Sequence, residues 1–251
     1  MIELKNVFAG YGKESILKGV SVDFPKGRLL SIIGPNGSGK STMLKTAMGI
    51  LHPSEGNVLI DEKRIEDMSR QDIAKKSAYL AQGKNVPDMT VEQMVLHGRF
   101  PHLRYPRRYS ENDRKIALSA IEKLGLSSVS EKKLTSLSGG MRQNTYIAMA
   151  LAQDTDYIFL DEPTTYLDIS NQISIMKIIA GLAKSGKGIV TVMHDLPLAF
   201  SFSDIIVMLE NGRIADCDTP KNLYKKNVIK RVFDTELKFS EQENYFYYLY
   251  R

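Results

Sequence analysis

The sequence has a single cysteine, Cys217, so it holds no internal disulfide and no cysteine-rich metal site. That thiol reads as a small inert side chain near a strand end. No apolar run reaches the roughly 18–20 residues needed to cross a bilayer. The start, Met1-Ile2-Glu3-Leu4-Lys5, lacks a basic lead-in followed by an apolar stretch, so no export leader is expected. Internal repeats, low-complexity segments and sustained heptads are missing too, which argues against solenoids and long coiled coils. Charge is not one-sided. The net value is +5, an excess too modest to imply nucleic acid. Two basic clusters, Arg104/Arg107/Arg108 and Lys221/Lys225/Lys226/Lys230/Arg231, stay open between a solvated face and a docking surface beside anionic head groups.

What is present is an ordinary globular composition, 43% hydrophobic and 25% charged, over 251 residues. That length suits one large domain or two closely joined lobes. Ile2–Val7 and Val20–Phe24 alternate like half-buried antiparallel strands, while Leu29–Ile33 is short and almost wholly apolar, as a strand buried on both faces would be. A Gly-rich turn then leads into a predicted helix, Thr42–Gly49. Helical spacing returns at Val91–Leu96 and Asp113–Leu124, separated by an irregular stretch rich in Pro, Arg and Tyr, Arg99–Tyr109. Strand patterns follow at Tyr157–Leu160, Gly188–Met193 and Ile205–Leu209, with a helix over Ser170–Lys184. Strands alternating with helices predict an α/β fold with a mainly parallel sheet, accompanied by an antiparallel β part and an inserted helical part. The expected division is a core of 1–83 and 153–218, a helical insertion of 84–152 and an extension of 219–251. Tyr245–Tyr250 in that extension reads as a packed final strand.

Gly34-Pro35-Asn36-Gly37-Ser38-Gly39-Lys40-Ser41 satisfies the phosphate-loop pattern G-x-x-x-x-G-K-[ST] without a gap. Its glycines let successive amides face an anion, and the helix that follows adds its positive end. Lys40 supplies a point charge for β- and γ-phosphates, the Ser41 hydroxyl is placed for Mg²⁺, and Thr42 continues the phosphate-binding set. A chain of this length would show the pattern by accident roughly 1% of the time, and the strand-loop-helix context lowers that further. Tyr157-Ile158-Phe159-Leu160 is an apolar strand that delivers Asp161 and Glu162 at its C-terminal end, where open α/β sheets bind ligands. Asp161 is the expected magnesium carboxylate, and Glu162 the general base for water.

Leu137-Ser138-Gly139-Gly140-Met141-Arg142-Gln143 resembles the LSGGQ signature of ABC ATPases, and with it the whole chain resembles that family. Ser138 suits an N-cap, and Gly139 and Gly140 permit close approach of an anion. The resemblance implies a P-loop NTPase core in which the signature meets ATP held by a second subunit of a head-to-tail homodimer. It further implies that Tyr11 stacks on adenine, that Gln82 touches Mg²⁺ and the attacking water, that Asp168 crosses to the other monomer, and that His194 contacts the γ-phosphate. Met141 and Asn144 depart from the family pattern, which has Gln and commonly a basic residue there.

Leu96–His102, Arg107-Arg108, Met149–Gln153 and Asp161–Ile169 look like the subgroup that imports iron-siderophores, haem and cobalamin. That resemblance implies two polytopic permease subunits, an extracytoplasmic binding protein and a peripheral position on the cytoplasmic face of the membrane, with no nucleic-acid partner. An ATPase for another transported solute, an exporter subunit, and a non-transport ABC ATPase remain the alternatives.

Overall fold

An apolar strand whose side chains alternate between two faces needs cover on both, and this requirement organises the chain. In the computed structural model, which describes residues 1–12, 14–81, 83, 86–243 and 245–248, strands β1 (Ile2–Tyr11) and β2 (Glu14–Phe24) pair antiparallel. The loop after β3 (Leu29–Ile33) enters helix α1 (Lys40–Ala47). Strand β4 (Glu55–Ile60) pairs on the other side of β1, and β5 (Lys63–Arg64) edges it. Helix α2 (Arg70–Lys76) then leads into β6 (Ser77–Leu80).

Three helices follow before the next strand, α3 (Val91–His97), α4 (Glu111–Lys123) and α5 (Gly139–Ala152). The first two begin with reciprocal capping boxes, Thr90 with Gln93 and Ser110 with Asp113, which fix their starts. The chain returns through β7 (Tyr157–Asp161), α6 (Ile169–Lys184), β8 (Gly188–Val192), α7 (Leu196–Phe202), β9 (Ile205–Glu210) and β10 (Arg213–Asp218). It ends in α8 (Pro220–Lys225), α9 (Val228–Phe233) and a hairpin of β11 (Leu237–Ser240) and β12 (Tyr245–Tyr248).

The central sheet runs β10-β9-β3-β8-β7-β6, parallel except for β10. Its two faces build two cores. Leu30, Ile32, Phe159 and Val207 face α1 and the antiparallel sheet, whereas Leu29, Ile33, Ile158 and Met208 face the helical side. Phe159 sits edge-on to Phe24 with ring centroids 5.9 Å apart, and truncating such a side chain to Ala costs about 3–5 kcal/mol.

The helices between β6 and β7 are tied to the sheet by a polar knot. Buried Arg99 donates from Nε to Asp113 (3.0 Å) and from Nη1 to the Ala152 carbonyl (2.9 Å). Gln153 Nε2 donates to the carbonyls of Ala74 (2.6 Å) and Ser77 (3.2 Å) at the entry to β6. His102 meets the Gln153 carbonyl at 2.8 Å, and Gln71 Nε2 donates to Pro101 (2.8 Å). Burial pushes Asp113 toward protonation, but the Ser110 and Arg99 hydrogen bonds outweigh it and hold the carboxyl below its ordinary range.

The first two strands run past their expected ends because bulges after Leu4 and Val7, with Asn6 at φ 48°, interrupt the alternation without ending the pairing. The aromatic tail packs as expected over its described part: Phe246 is buried against Phe200, Tyr224 and Phe239. Leu249 and Tyr250 lie outside the described residues. Exposed Cys217 falls in β10. In the second basic cluster Lys226 pairs with Asp216 and Asp218, and Lys230 with Glu236, so part of that charge is neutralised locally. No helix among the described residues is long and apolar enough to cross a membrane.

Candidate active site

At the end of β3 the chain turns through Gly34–Gly39 into α1. Gly37 (φ 78°) and Gly39 (φ 102°) take the left-handed region open to glycine, and a Cβ at Gly34 would collide with the Leu209 carbonyl. Pro35 is half-buried, Asn36 exposed and Thr42 buried in the first turn of the helix. Lys40 is buried, with Nζ donating to the carbonyls of Gly34 (2.9 Å) and Pro35 (3.0 Å). Desolvation lowers its ammonium pKa, opposed by the charges of Glu162 and Asp161. Ser38 Oγ is buried with no hydrogen-bond partner among the described residues. Leaving such a group unpaired costs about 1–3 kcal/mol. An orphan hydroxyl beside a buried cation in a glycine turn fits the oxygens of a polyphosphate.

Asp161 ends β7 next to the loop. Its Oδ1 accepts from Ser41 Oγ (3.1 Å) and its Oδ2 from the Tyr79 hydroxyl (3.3 Å). Burial raises its carboxyl pKa, and these two hydrogen bonds pull the other way. Burial, with Asp161 adding its charge, pushes the Tyr79 phenol far upward, so that hydroxyl is a standing donor. Ser41 and Asp161 present hard oxygen ligands side by side, the donor type magnesium takes.

Glu162 leaves the strand at φ 54°, a strained conformation for a non-glycine residue. Its carboxylate takes partners different from those of Asp161. Oε1 shares a 2.5 Å hydrogen bond with His194 Nε2, and Oε2 accepts from Thr165 Oγ1 (3.1 Å). The structure therefore gathers Lys40, Ser41, Asp161, Glu162 and His194 at the C-terminal ends of β3, β7 and β8. Tyr11, at the end of β1, is half exposed, with Lys45 Nζ 6.0 Å from its ring centre. Gln82 lies outside the described residues. A cleft of about 470 Å³ opens beside Glu162, walled by Tyr79 and Leu80 on the sheet side and by Met94, Tyr146 and Met149 on the helical side.

Ser138 and Asp168 occupy a separate corner. Ser138 caps α5, its Oγ accepting from the Met141 amide (3.3 Å). Asp168 caps α6, with Oδ1 accepting from the Asn171 amide (2.8 Å) and Oδ2 from Asn171 Nδ2 (2.7 Å). A Cβ on Gly140 would lie 2.7 Å from Asn171 Oδ1, and one on Gly139 3.3 Å from Leu167. The glycines thus make room for the start of α6 as well as for any approaching anion. No hydrogen bond or ion pair joins this corner to Lys40, Ser41, Asp161 or His194 among the described residues. Sequence reasoning missed Asn171 and Tyr79. Asn171 is signalled by its place three residues after a capping Asp, but no local pattern marks Tyr79.

The chain has known counterparts. The model for the family described as ABC transporter matches residues 17–165, and the chain belongs to that family. The fold is that of its ATP-binding subunit, and the activity of the family is ATP hydrolysis. Among curated relatives, the iron(3+)-hydroxamate import ATP-binding protein FhuC of Bacillus subtilis is 40% identical over 90% of this chain and 85% of its own length. The petrobactin import ATP-binding protein FpuD of Bacillus anthracis is 37% identical, covering 95% and 88%. Among solved structures, the dimeric post-hydrolysis cassette MJ0796 bound to ADP and Pi superposes with a TM-score of 0.75 at 32% identity, covering 88% of this chain and 99% of that one.

Proposed function

We propose that this chain drives import of an iron–siderophore chelate through separate permease subunits at the cytoplasmic face of the membrane. The observation that carries the reading is its agreement, over nine-tenths of its length or more, with subunits named for iron(3+)-hydroxamate and petrobactin import.

In this reading two copies close head to tail over two ATP molecules. Lys40 and the loop from Gly34 to Thr42 grip the phosphates, and Tyr11 offers its exposed ring to adenine. Ser41, Asp161 and Gln82 would hold magnesium, which would supply positive charge to offset that of the phosphates. Glu162 polarises water. His194 is the group that lets go: in the isolated chain it engages Glu162, and a γ-phosphate within its reach draws it off and frees the carboxylate. Ser138–Gly140 and Asp168 of the second copy complete the site. The helical region of 84–152, swinging across the cleft beside Glu162, transmits closure to the permeases.

The test is uptake of labelled ferric siderophores by cells whose sole copy is native or Glu162→Gln. Uptake should collapse in the variant at equal amounts of membrane-associated protein. Unchanged uptake removes the siderophore assignment and redirects the search to haem, cobalamin and other solutes.

A further inference from the structure

We propose that Tyr79 is a positioning residue, fixing the rotation of the Asp161 carboxylate for the magnesium–nucleotide complex. Strand β6 is the edge of the central sheet, and its Tyr79 stands in register with Phe159 of β7. Asp161 lies two residues beyond Phe159 and so on the same face. The phenol ring therefore runs along the sheet toward the strand ends, where its hydroxyl donates to Oδ2 at 3.3 Å. Ser41 holds the opposite oxygen at 3.1 Å. The two donors are not equivalent. A Ser41 hydroxyl that turns to a metal gives up Oδ1, whereas the Tyr79 bond lies on the other oxygen and persists. After that exchange Tyr79 keeps Oδ1 aimed at the metal, instead of leaving the carboxylate to rotate about its Cβ–Cγ bond.

The proposal rests on Asp161 as the magnesium carboxylate, and the experiment separates the two. Mn²⁺ binding to the ATP complex is measured by electron paramagnetic resonance in a Glu162→Gln background, which prevents turnover. Tyr79→Phe should raise the apparent Kd for Mn²⁺ about three- to tenfold, with ATP affinity in EDTA unchanged. Asp161→Asn is the control. Weak Mn²⁺ binding by Asp161→Asn beside native-like binding by Tyr79→Phe overturns the role of Tyr79 and leaves that of Asp161. Native-like binding by Asp161→Asn overturns both. A fall in metal-free ATP affinity in Tyr79→Phe also overturns the proposal, because the ring would then shape the nucleotide pocket itself.

Discussion

Lys40 is buried with its ammonium on two carbonyls, whereas Ser138 stands exposed at the head of α5 with its hydroxyl turned back onto its own helix. The phosphate-loop half holds a buried cation, an orphan hydroxyl, a desolvated carboxylate and a strained glutamate, each a cost to the fold on its own. Among the described residues the signature corner holds no buried cation or desolvated carboxylate, though Asn144 Oδ1 on α5 is buried without a hydrogen-bond partner and Tyr166 sits at φ 65°. Ser138 and Asp168 are satisfied as ordinary helix caps, and Met141 beside them lies open to solvent. The difference teaches that the phosphate loop concentrates buried charge against stability for a ligand, while the capped starts of α5 and α6 are at rest until something is brought to them.

The largest effect should come from the costly half. Lys40→Ala is expected to weaken ATP binding roughly a hundredfold, since it removes a charge-assisted contact to the phosphates. Titration with a fluorescent nucleotide measures it, and an effect below about threefold would break the contrast. A smaller effect is expected at the corner. Ser138→Ala should leave ATP binding by the separate chain unchanged, lower steady-state hydrolysis about tenfold, and cost about 1 kcal/mol through the lost cap. Equal losses of binding and hydrolysis would mean that the corner already serves the site within one chain.

The smallest effect sharpens the comparison in the opposite direction. The Asp161 carboxyl has its pKa raised above its ordinary 3.8, so the ionised group opposes folding at neutral pH. Between 3.8 and the raised value the folded state holds more protons than the unfolded one. Stability from this group is therefore complete below 3.8 and lost as pH rises through the folded value. Asp161→Asn should accordingly raise the melting temperature of the nucleotide-free chain by about 2–4 °C at pH 7, an advantage that vanishes toward pH 3.8. A lower melting temperature at pH 7 would mean that the hydrogen bonds from Ser41 and Tyr79 outweigh desolvation.

Lys40, Ser41, Asp161 and Glu162 were legible because each belongs to a short motif whose chemistry is local, whereas His194 was named through the family resemblance. The gap-free loop at Gly34–Ser41 and the carboxylates closing an apolar strand are of this kind. What escaped was long-range or patternless. Tyr79 reaches a partner 82 residues away, and nothing around it marks that reach. Strand β6 is four residues long and β10 carries charges at three of its six positions, so neither shows a clean period. Strand β4 opens with Glu55-Gly56-Asn57, which reads as a turn until β1 supplies its partner. The capping role of Asp168 was masked differently, because the family resemblance pointed to a neighbour across an interface while the side chain was already committed to its own helix.

The knot around Gln153 has a consequence for how this sequence can drift. Asp113 apart, its acceptors at Ala74, Ser77, Pro101 and Ala152 are main-chain carbonyls, present whatever residue stands there. Its donors, Arg99, Gln153 and Gln71, are side chains, and the two glutamines reach their acceptors with a terminal amide. Substitution should therefore be tolerated at the main-chain acceptor positions and resisted at the donor positions, so that the joint between helices and sheet can outlast wide change in the sequence it joins.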